Sequence, residues 1–346
     1  MSMLRRTITR RHDVFRRSTA GAGRYLHLAP PFLLDDYTPR YMALTSIDES
    51  KKRSKAYAHL SKCNLCPRLC GVNRFETTGM CLIGNDTKVN VIAPHFGEGL
   101  EQTSPSHPTS FLNLSERNGQ DLTPEELGEW YVKLQQIGRV HNINLITPEH
   151  VVPQVVLSIL HAKELGLRVP IIYNTSSFDS LASLELLDGL VDIYLPDFKV
   201  WESATSKRLL KADDYAATAR ESIKAMHNQV GDLCFTGDGI AKSGLLVRHL
   251  VMPGKEQEGH RIMQFLAEEV SRDCFVNIME QYHPDAHVGK SKRRNKKSTD
   301  TQDDEVRYSE INRAVSGDEV SSVRKAAEAA GLWRFCDPPR HDGFNI

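Results

Sequence analysis

NINLITPEHVVPQVVLSILHAKELGLRVPIIYNTSSFDSLASLELLDGLVDIYLPDFK, residues 142–199, decides the fold. Three short apolar runs, 142–146, 169–173 and 191–195, alternate with two segments of helical apolar spacing, 153–164 and 180–187, the first closed by Gly166. Strands this short, joined by helix-sized crossovers, bury both faces only when they lie parallel with the helices packed against them. The alternation continues with a helix over about 215–229, a strand over 245–251, a helix over 257–270, a strand over 275–279 and a last helix over 318–330. Upstream, Thr123-Pro124-Glu125-Glu126 is a compact helix start, with Thr as N-cap, Pro at the first position and Glu126 placed to complete a capping box. That helix should run to about Ile137. Residues 88–93 are β-prone, whereas 99–119 have no period of either kind and read as loop. The expectation is an α/β fold whose parallel sheet rolls into a full or partial (β/α) barrel, with function at the C-terminal ends of the strands.

Polar residues fall where that architecture would use them. Thr147 follows one strand, Asn174 and Thr175 the next, Asp197 and Lys199 the third, and Gln281 and Tyr282 the last, while Arg248 and His249 lie inside an apolar strand. Taken alone, the run 174–177 is a turn with a helix cap, Asp197 with Lys199 a surface ion pair, and His260 a solvated helix residue. Arg248 resists such a reading, because a guanidinium in a barrel strand needs an anionic or hydrogen-bonding partner. Their shared rim is what makes them candidates together.

A second signal lies upstream. CNLCPRLCGVNRFETTGMC, residues 63–81, places Cys63, Cys66, Cys70 and Cys81 in a short polar segment whose Gly71 and Gly79 permit tight turns. Four thiolates can converge there on a zinc ion or an iron–sulfur centre. Cys234, Cys274 and Cys336 are too scattered to form a motif. An odd total of seven cysteines, four of them clustered, fits a reducing compartment rather than a secreted disulfide framework.

Composition narrows the partners. Basic and acidic side chains balance at 44 each, so no global field draws nucleic acid or an anionic membrane, and no apolar run reaches membrane-spanning length. Residues 1–24 carry seven arginines and one acid, which fits either a mitochondrial presequence or a basic tail, leaving mitochondrial and cytoplasmic locations both open. Residues 1–50 are therefore read as tail and linker or packed arm, 51–98 as the cysteine-rich segment and 120–335 as the barrel. Within the barrel, 285–307 hold a basic then acidic run, KSKRRNKK followed by acids, which reads as a disordered insertion.

The strings 63–81, PHFGE (94–98), HNINLITP (141–148), YNTS (173–176), VDIYLPDFK (191–199), VRHLVMPG (247–254) and QY (281–282) resemble, in order, the radical S-adenosylmethionine proteins related to pyruvate formate-lyase activating enzyme. The branch resembled carries an additional N-terminal cysteine motif, and the likeness covers most of residues 60–335. It implies a partial (β/α) barrel with a [4Fe-4S] cluster held by three cysteines. It also implies S-adenosylmethionine, cleaved reductively to a 5'-deoxyadenosyl radical that abstracts hydrogen. Asp197 and Lys199 would then meet the cofactor's methionine portion and a nearby cation. Asn174, where an acid is usual, and Thr175 would add contacts, and Arg248 and His260 would complete the pocket. A protein substrate and a reductase or ferredoxin electron donor follow from the same likeness.

One element of that family is missing. Its three-cysteine motif belongs between Glu98 and Thr123, and the interval GLEQTSPSHPTSFLNLSERNGQD (99–121) has no cysteine and is shorter than the family requires. A skipped exon or mis-predicted splice would leave such a gap. Cys63, Cys66, Cys70 and Cys81 have the gaps in a different order and offer four ligands, which suits a closed zinc or iron–sulfur site. Two readings stand: an activating-type radical enzyme in incomplete form, or a non-catalytic degenerate barrel around a closed four-cysteine site.

Overall fold

The computed structural model describes residues 28–95, 108–114, 119–290 and 306–336. In chain order its strands are β1 (Leu33–Leu34), β2 (Thr87–Val89), β3 (Val91–His95), β4 (Thr109–Asn113), β5 (Gln120–Leu122), β6 (Ile143–Ile146), β7 (Ile171–Thr175), β8 (Ile193–Pro196), β9 (Cys234–Thr236), β10 (Ala241–Leu250), β11 (Phe275–Met279) and β12 (Arg334–Phe335). The helices are α1 (Ser46–Ser61), α2 (Pro124–Gln136), α3 (Val152–Glu164), α4 (Leu181–Leu187), the single turn α5 (Ser203–Thr205), α6 (Tyr215–Val230), α7 (Glu256–Phe265) and α8 (Gly317–Ala330). The protein is α/β, as the alternation in 142–199 requires. Seven strands, β4, β6, β7, β8, β10, β11 and β12, run parallel and neighbour one another in chain order, with β3 antiparallel on β4 at one end.

Two elements depart from the sequence expectation. Within 99–119, expected to be loop, Thr109–Asn113 forms β4, the first parallel strand. Its five residues are too few for a period to show, and tertiary pairing on both edges makes the strand: it bonds β3 along its whole length, and Ser110 Oγ accepts the Asn144 N–H at 2.8 Å. The β-prone run 88–93 divides at Asn90 between β2, which pairs with β5 in a small separate sheet, and β3. Helix α1 crosses the boundary set at residue 50. Thr45 and Asp48 form a capping box, so the start signal was in the text, masked by a mostly polar helix. The equivalent box at Thr123 and Glu126 opens α2 as expected.

The remainder of 28–44 is an arm packed on the sheet. Buried Asp192, at the start of β8, accepts from Tyr37 OH at 2.6 Å and from the backbone N–H groups of Arg40 and Ile171, each at 2.7 Å. The run 285–307 is only partly described: its flanks meet where Arg307 N–H bonds Lys290 O, and 291–305, like 1–27, lie outside the described residues. Among the described residues no helix is long and apolar enough to cross a membrane.

Side-chain alternation splits the sheet into two environments. The helix-covered face, with Leu145, Tyr173, Tyr194 and Val247, joins the large core under α2, α3, α4, α6 and α7. Helix α3 is buried nearly all round, with α1 and α2 both packed on it, and a Cβ on Gly128 of α2 would come within 2.7 Å of Ser158 O. The opposite face has its own small core, Ile172, Ile193, Leu195, Leu246 and Phe275 with Leu233, Phe235 and Ala241. Following that face toward the C-terminal ends of the strands, the register leads from Ile172 to Asn174, from Leu195 to Asp197 and from Leu246 to Arg248. The apolar floor thus gives way to a polar rim.

Candidate metal centre and polar rim

The rim joins three adjacent strand ends. Arg248 Nε donates to Asp197 Oδ1 and Arg248 Nη2 to Asn174 Oδ1, each at 2.7 Å, and Lys199 Nζ donates to Asp197 Oδ2 at 2.7 Å. Asp197 and Arg248 side chains are each one-fifth exposed, so this is no surface ion pair. Burial raises the Asp197 carboxyl, but Lys199 and Arg248 outweigh it and hold the group below the usual carboxylate range. No hydrogen bond from Arg248 Nη1 is seen among the described residues. The loop after Lys199 is tied back by Glu258 of α7, which accepts from Trp201 N–H at 2.8 Å, Glu202 N–H at 3.1 Å and Thr205 Oγ1 at 2.6 Å.

Thr175 and His260 are not brought to this cluster. One residue beyond Asn174, Thr175 points to the helix side and donates to Asp179 Oδ2 at 2.6 Å. His260 lies between α7 and α8, its ring bonded to Ser322 Oγ at 2.8 Å. His249 faces away as well: its Nδ1 is 2.8 Å from Phe198 O, and burial lowers its pKa, which makes the ring a neutral donor to that carbonyl. Tyr282 OH is spent on Ile311 O, and Gln281 is exposed.

Sequence reading missed a buried acidic pair beside the rim. Asp179 also accepts Tyr173 OH at 2.7 Å, and Glu149 Oε1 accepts Ser176 Oγ at 2.6 Å. Burial drives Glu149 up to about 7, helped by the charge of Asp179, and drives Asp179 up to about 6 against its bonds from Thr175 and Tyr173. Glu149 Oε2 and both amide atoms of Asn144 are buried without a hydrogen-bond partner among the described residues. Thr147, before Glu149, holds φ at 57°, a strained value for a β-branched residue. Position was the available signal: acids in the loops just after β6 and β7.

The cysteine segment packs on this side of the sheet. Cys63 and Val72 pair through Cys63 N–H to Val72 O at 2.9 Å, and Gly71 N–H reaches Cys63 O at 2.8 Å, with Leu69 and Gly71 both at positive φ. Buried Leu65 anchors the knuckle: its carbonyl accepts from Ser180 Oγ at 2.9 Å and from Ser183 Oγ at the start of α4. At three thiols the backbone N–H two residues on acts to lower the pKa, Leu65 at Cys63, Arg68 at Cys66 and Val72 at Cys70. Such amides stabilise sulfur anions. Burial raises the Cys63 and Cys66 thiols; Cys70 ends lower than usual, since burial there is outweighed by the N–H groups of Val72 and Met80 and by Cys63 and Arg74. A Cβ on Gly79 would stand 3.3 Å from Cys81 Sγ and 3.4 Å from Cys70 Sγ, so glycine leaves both sulfurs room.

A soft, four-sulfur donor set with amide support suits zinc or an iron–sulfur centre. As they stand, the sulfurs are bonded to protein rather than gathered on one point: Arg74 donates from Nε to Cys63 Sγ at 3.2 Å and from Nη2 to Cys81 Sγ at 3.4 Å. Among the described residues no group of three or more His, Cys, Asp or Glu side chains is arranged to hold a metal ion.

No protein-family model matches the chain. It is 24% identical over 296 residues to "Uncharacterized protein MJ0674" of Methanocaldococcus jannaschii, an alignment spanning 78% of this chain and 75% of that protein.

Proposed function

We propose that this chain is a radical S-adenosylmethionine-type protein with a partial (β/α) barrel, whose rim holds the methionine end of S-adenosylmethionine and whose cysteine segment holds a separate zinc or [4Fe-4S] centre. The observation that carries the reading is the bridge from Asn174 through Arg248 to Asp197 and Lys199 across three neighbouring strand ends. The barrel is supported by seven parallel strands in chain order from β4 to β12; β3, antiparallel on β4, and β12 have no pairing with each other among the described residues.

In that rim Arg248 Nη1 is the donor for the cofactor's carboxylate, and the open hydrogens of Lys199 offer a second cationic contact. Asp197 fixes both cations, Asn174 orients the guanidinium, and Glu258 keeps the Lys199 loop in place. Bound next to a site-differentiated cluster, S-adenosylmethionine supplies a radical for hydrogen abstraction. This chain does not fit that cluster: only Leu114–Gly119 separates β4 from β5, and residues 99–121 contain no cysteine. No cleavage step is therefore assigned to its residues. A protein substrate and a small electron-donor protein belong to the reading for a chain with the triad restored.

The missing triad favours a second reading, a degenerate barrel around a closed four-cysteine site. Iron, acid-labile sulfide and zinc content of anaerobically purified and reconstituted protein, followed by a dithionite-driven assay for 5'-deoxyadenosine, separates the two. A cluster with cofactor cleavage supports the radical enzyme; zinc, or a cluster without cleavage, supports the closed site.

A further inference from the structure

Of the two residues expected to bring β11 to the rim, Gln281 is exposed and Tyr282 OH is spent on Ile311 O. The register supplies another. Arg248 of β10 pairs with Asn277 of β11, as Leu246 pairs with Phe275 in the small core two residues earlier. Residues two apart on a strand share a face, so Asn277 stands on the rim face at the level of Arg248. It is half-buried, and no hydrogen bond from its side chain is seen among the described residues.

The charges already paired on the rim decide what Asn277 can take. Nε and Nη2 form one edge of the planar Arg248 guanidinium and are used on Asp197 and Asn174, so Nη1 lies on the edge turned away from β7 and β8. In an α-amino acid, a carboxylate held by that guanidinium belongs to a carbon that also carries an ammonium. Its acceptor must then come from a strand next to β10, since neighbouring strands lie about 4.8 Å apart. On the β8 side, Asp197 already holds two cations, Arg248 and Lys199, and a third would stand against both. On the β11 side stands Asn277, whose neutral carboxamide offers an acceptor oxygen without adding a charge to compete for the guanidinium.

We infer that Asn277 is a specificity-determining residue: its carboxamide oxygen accepts the α-ammonium of the ligand whose carboxylate meets Arg248, so the rim selects an α-amino acid end over a plain carboxylate. The inference rests on the S-adenosylmethionine reading of the rim.

The probes are S-adenosylmethionine and its desamino analogue, which keeps the sulfonium and the carboxylate and has hydrogen in place of the amino group. Each is titrated calorimetrically into the folded full-length protein. The unmodified chain is expected to prefer S-adenosylmethionine roughly 10- to 100-fold, the size of one hydrogen bond to a charged group. Asn277→Leu, of similar volume, should lose about that factor for S-adenosylmethionine and nothing for the analogue, so that the preference collapses. Asn277→Asp keeps an acceptor and should keep the preference whatever its absolute affinity. Equal losses for both ligands in Asn277→Leu, or no loss for either, would overturn the inference, as would an unmodified chain that binds the two alike. If Asn277→Leu does not fold, Asn277→Asp decides: a lost preference there overturns it. A folded, unmodified chain that binds neither ligand would instead remove the rim reading, and the inference with it.

Discussion

Replacing Arg248 with methionine tests the rim. The substitution keeps the aliphatic bulk on β10 and removes two 2.7 Å bonds, leaving Asp197 with Lys199 alone and Asn174 Oδ1 empty. At one-fifth exposure the ion pair lies between the surface case, worth about 0–1 kcal/mol, and the buried case, where loss of one partner costs about 3–5 kcal/mol. The expected destabilisation is about 2–3 kcal/mol, readable as a lower urea midpoint with unchanged slope. Much of that cost is the carboxylate left with one cation in place of two, so Asp197→Asn in the Arg248→Met background should recover about 1–2 kcal/mol, a coupling a double-mutant cycle isolates. S-adenosylmethionine binding, measured by calorimetry, should fall about 10- to 100-fold in Arg248→Met, since a hydrogen bond to a charged group contributes about 1.5–3 kcal/mol. Additive effects on stability together with unchanged binding would refute the rim as both a coupled unit and a cofactor site.

Single Cys→Ser changes at 63, 66, 70 and 81 should each lower metal content of the purified protein; four variants at full loading would remove those ligands from the account. Stability should decline as pH rises from about 4 to about 7, because Glu149, up to about 7, and Asp179 and Asp192, each up to about 6, hold protons in the folded state that the unfolded chain has released, so unfolding is favoured by deprotonation. Glu149→Gln should flatten the upper part of that thermal-melt profile, and an unchanged profile would mean the carboxyl is not proton-holding. Gly244 of β10 sits at φ +116° with Asp232 O 2.4 Å from where a Cβ would stand, so Gly244→Ala should cost about 2–4 kcal/mol in chemical denaturation. A loss under 0.5 kcal/mol would show that the β9–β10 approach can relax.

The parallel sheet was legible because its strands are buried on both faces and written as near-continuous Ile, Val, Leu and Tyr runs. β4 was not, since TSFLN owes its strand to partners on both edges, and α1 was hidden by its weak apolar face despite the Thr45–Asp48 box. At the rim, the structure brings together Asp197, Lys199 and Arg248, for which type and position pointed to an ionic partner. Thr175 lies apart from them because adjacent strand residues face opposite sides, and His260 because its helix turns it onto Ser322. Glu149 and Asp179 carried only the signal of position after β6 and β7, and Arg74 none: burial and partner define their surroundings, and both arise only when segments distant in the chain meet.

The most direct test of the whole account is native mass spectrometry of the anaerobically purified chain with S-adenosylmethionine added. One bound metal centre and one cofactor adduct are expected, with a variant lacking Cys63, Cys66, Cys70 and Cys81 losing the metal and keeping the adduct. Absence of the adduct from folded, metal-loaded protein, or its loss together with the four cysteines, would contradict two separate sites.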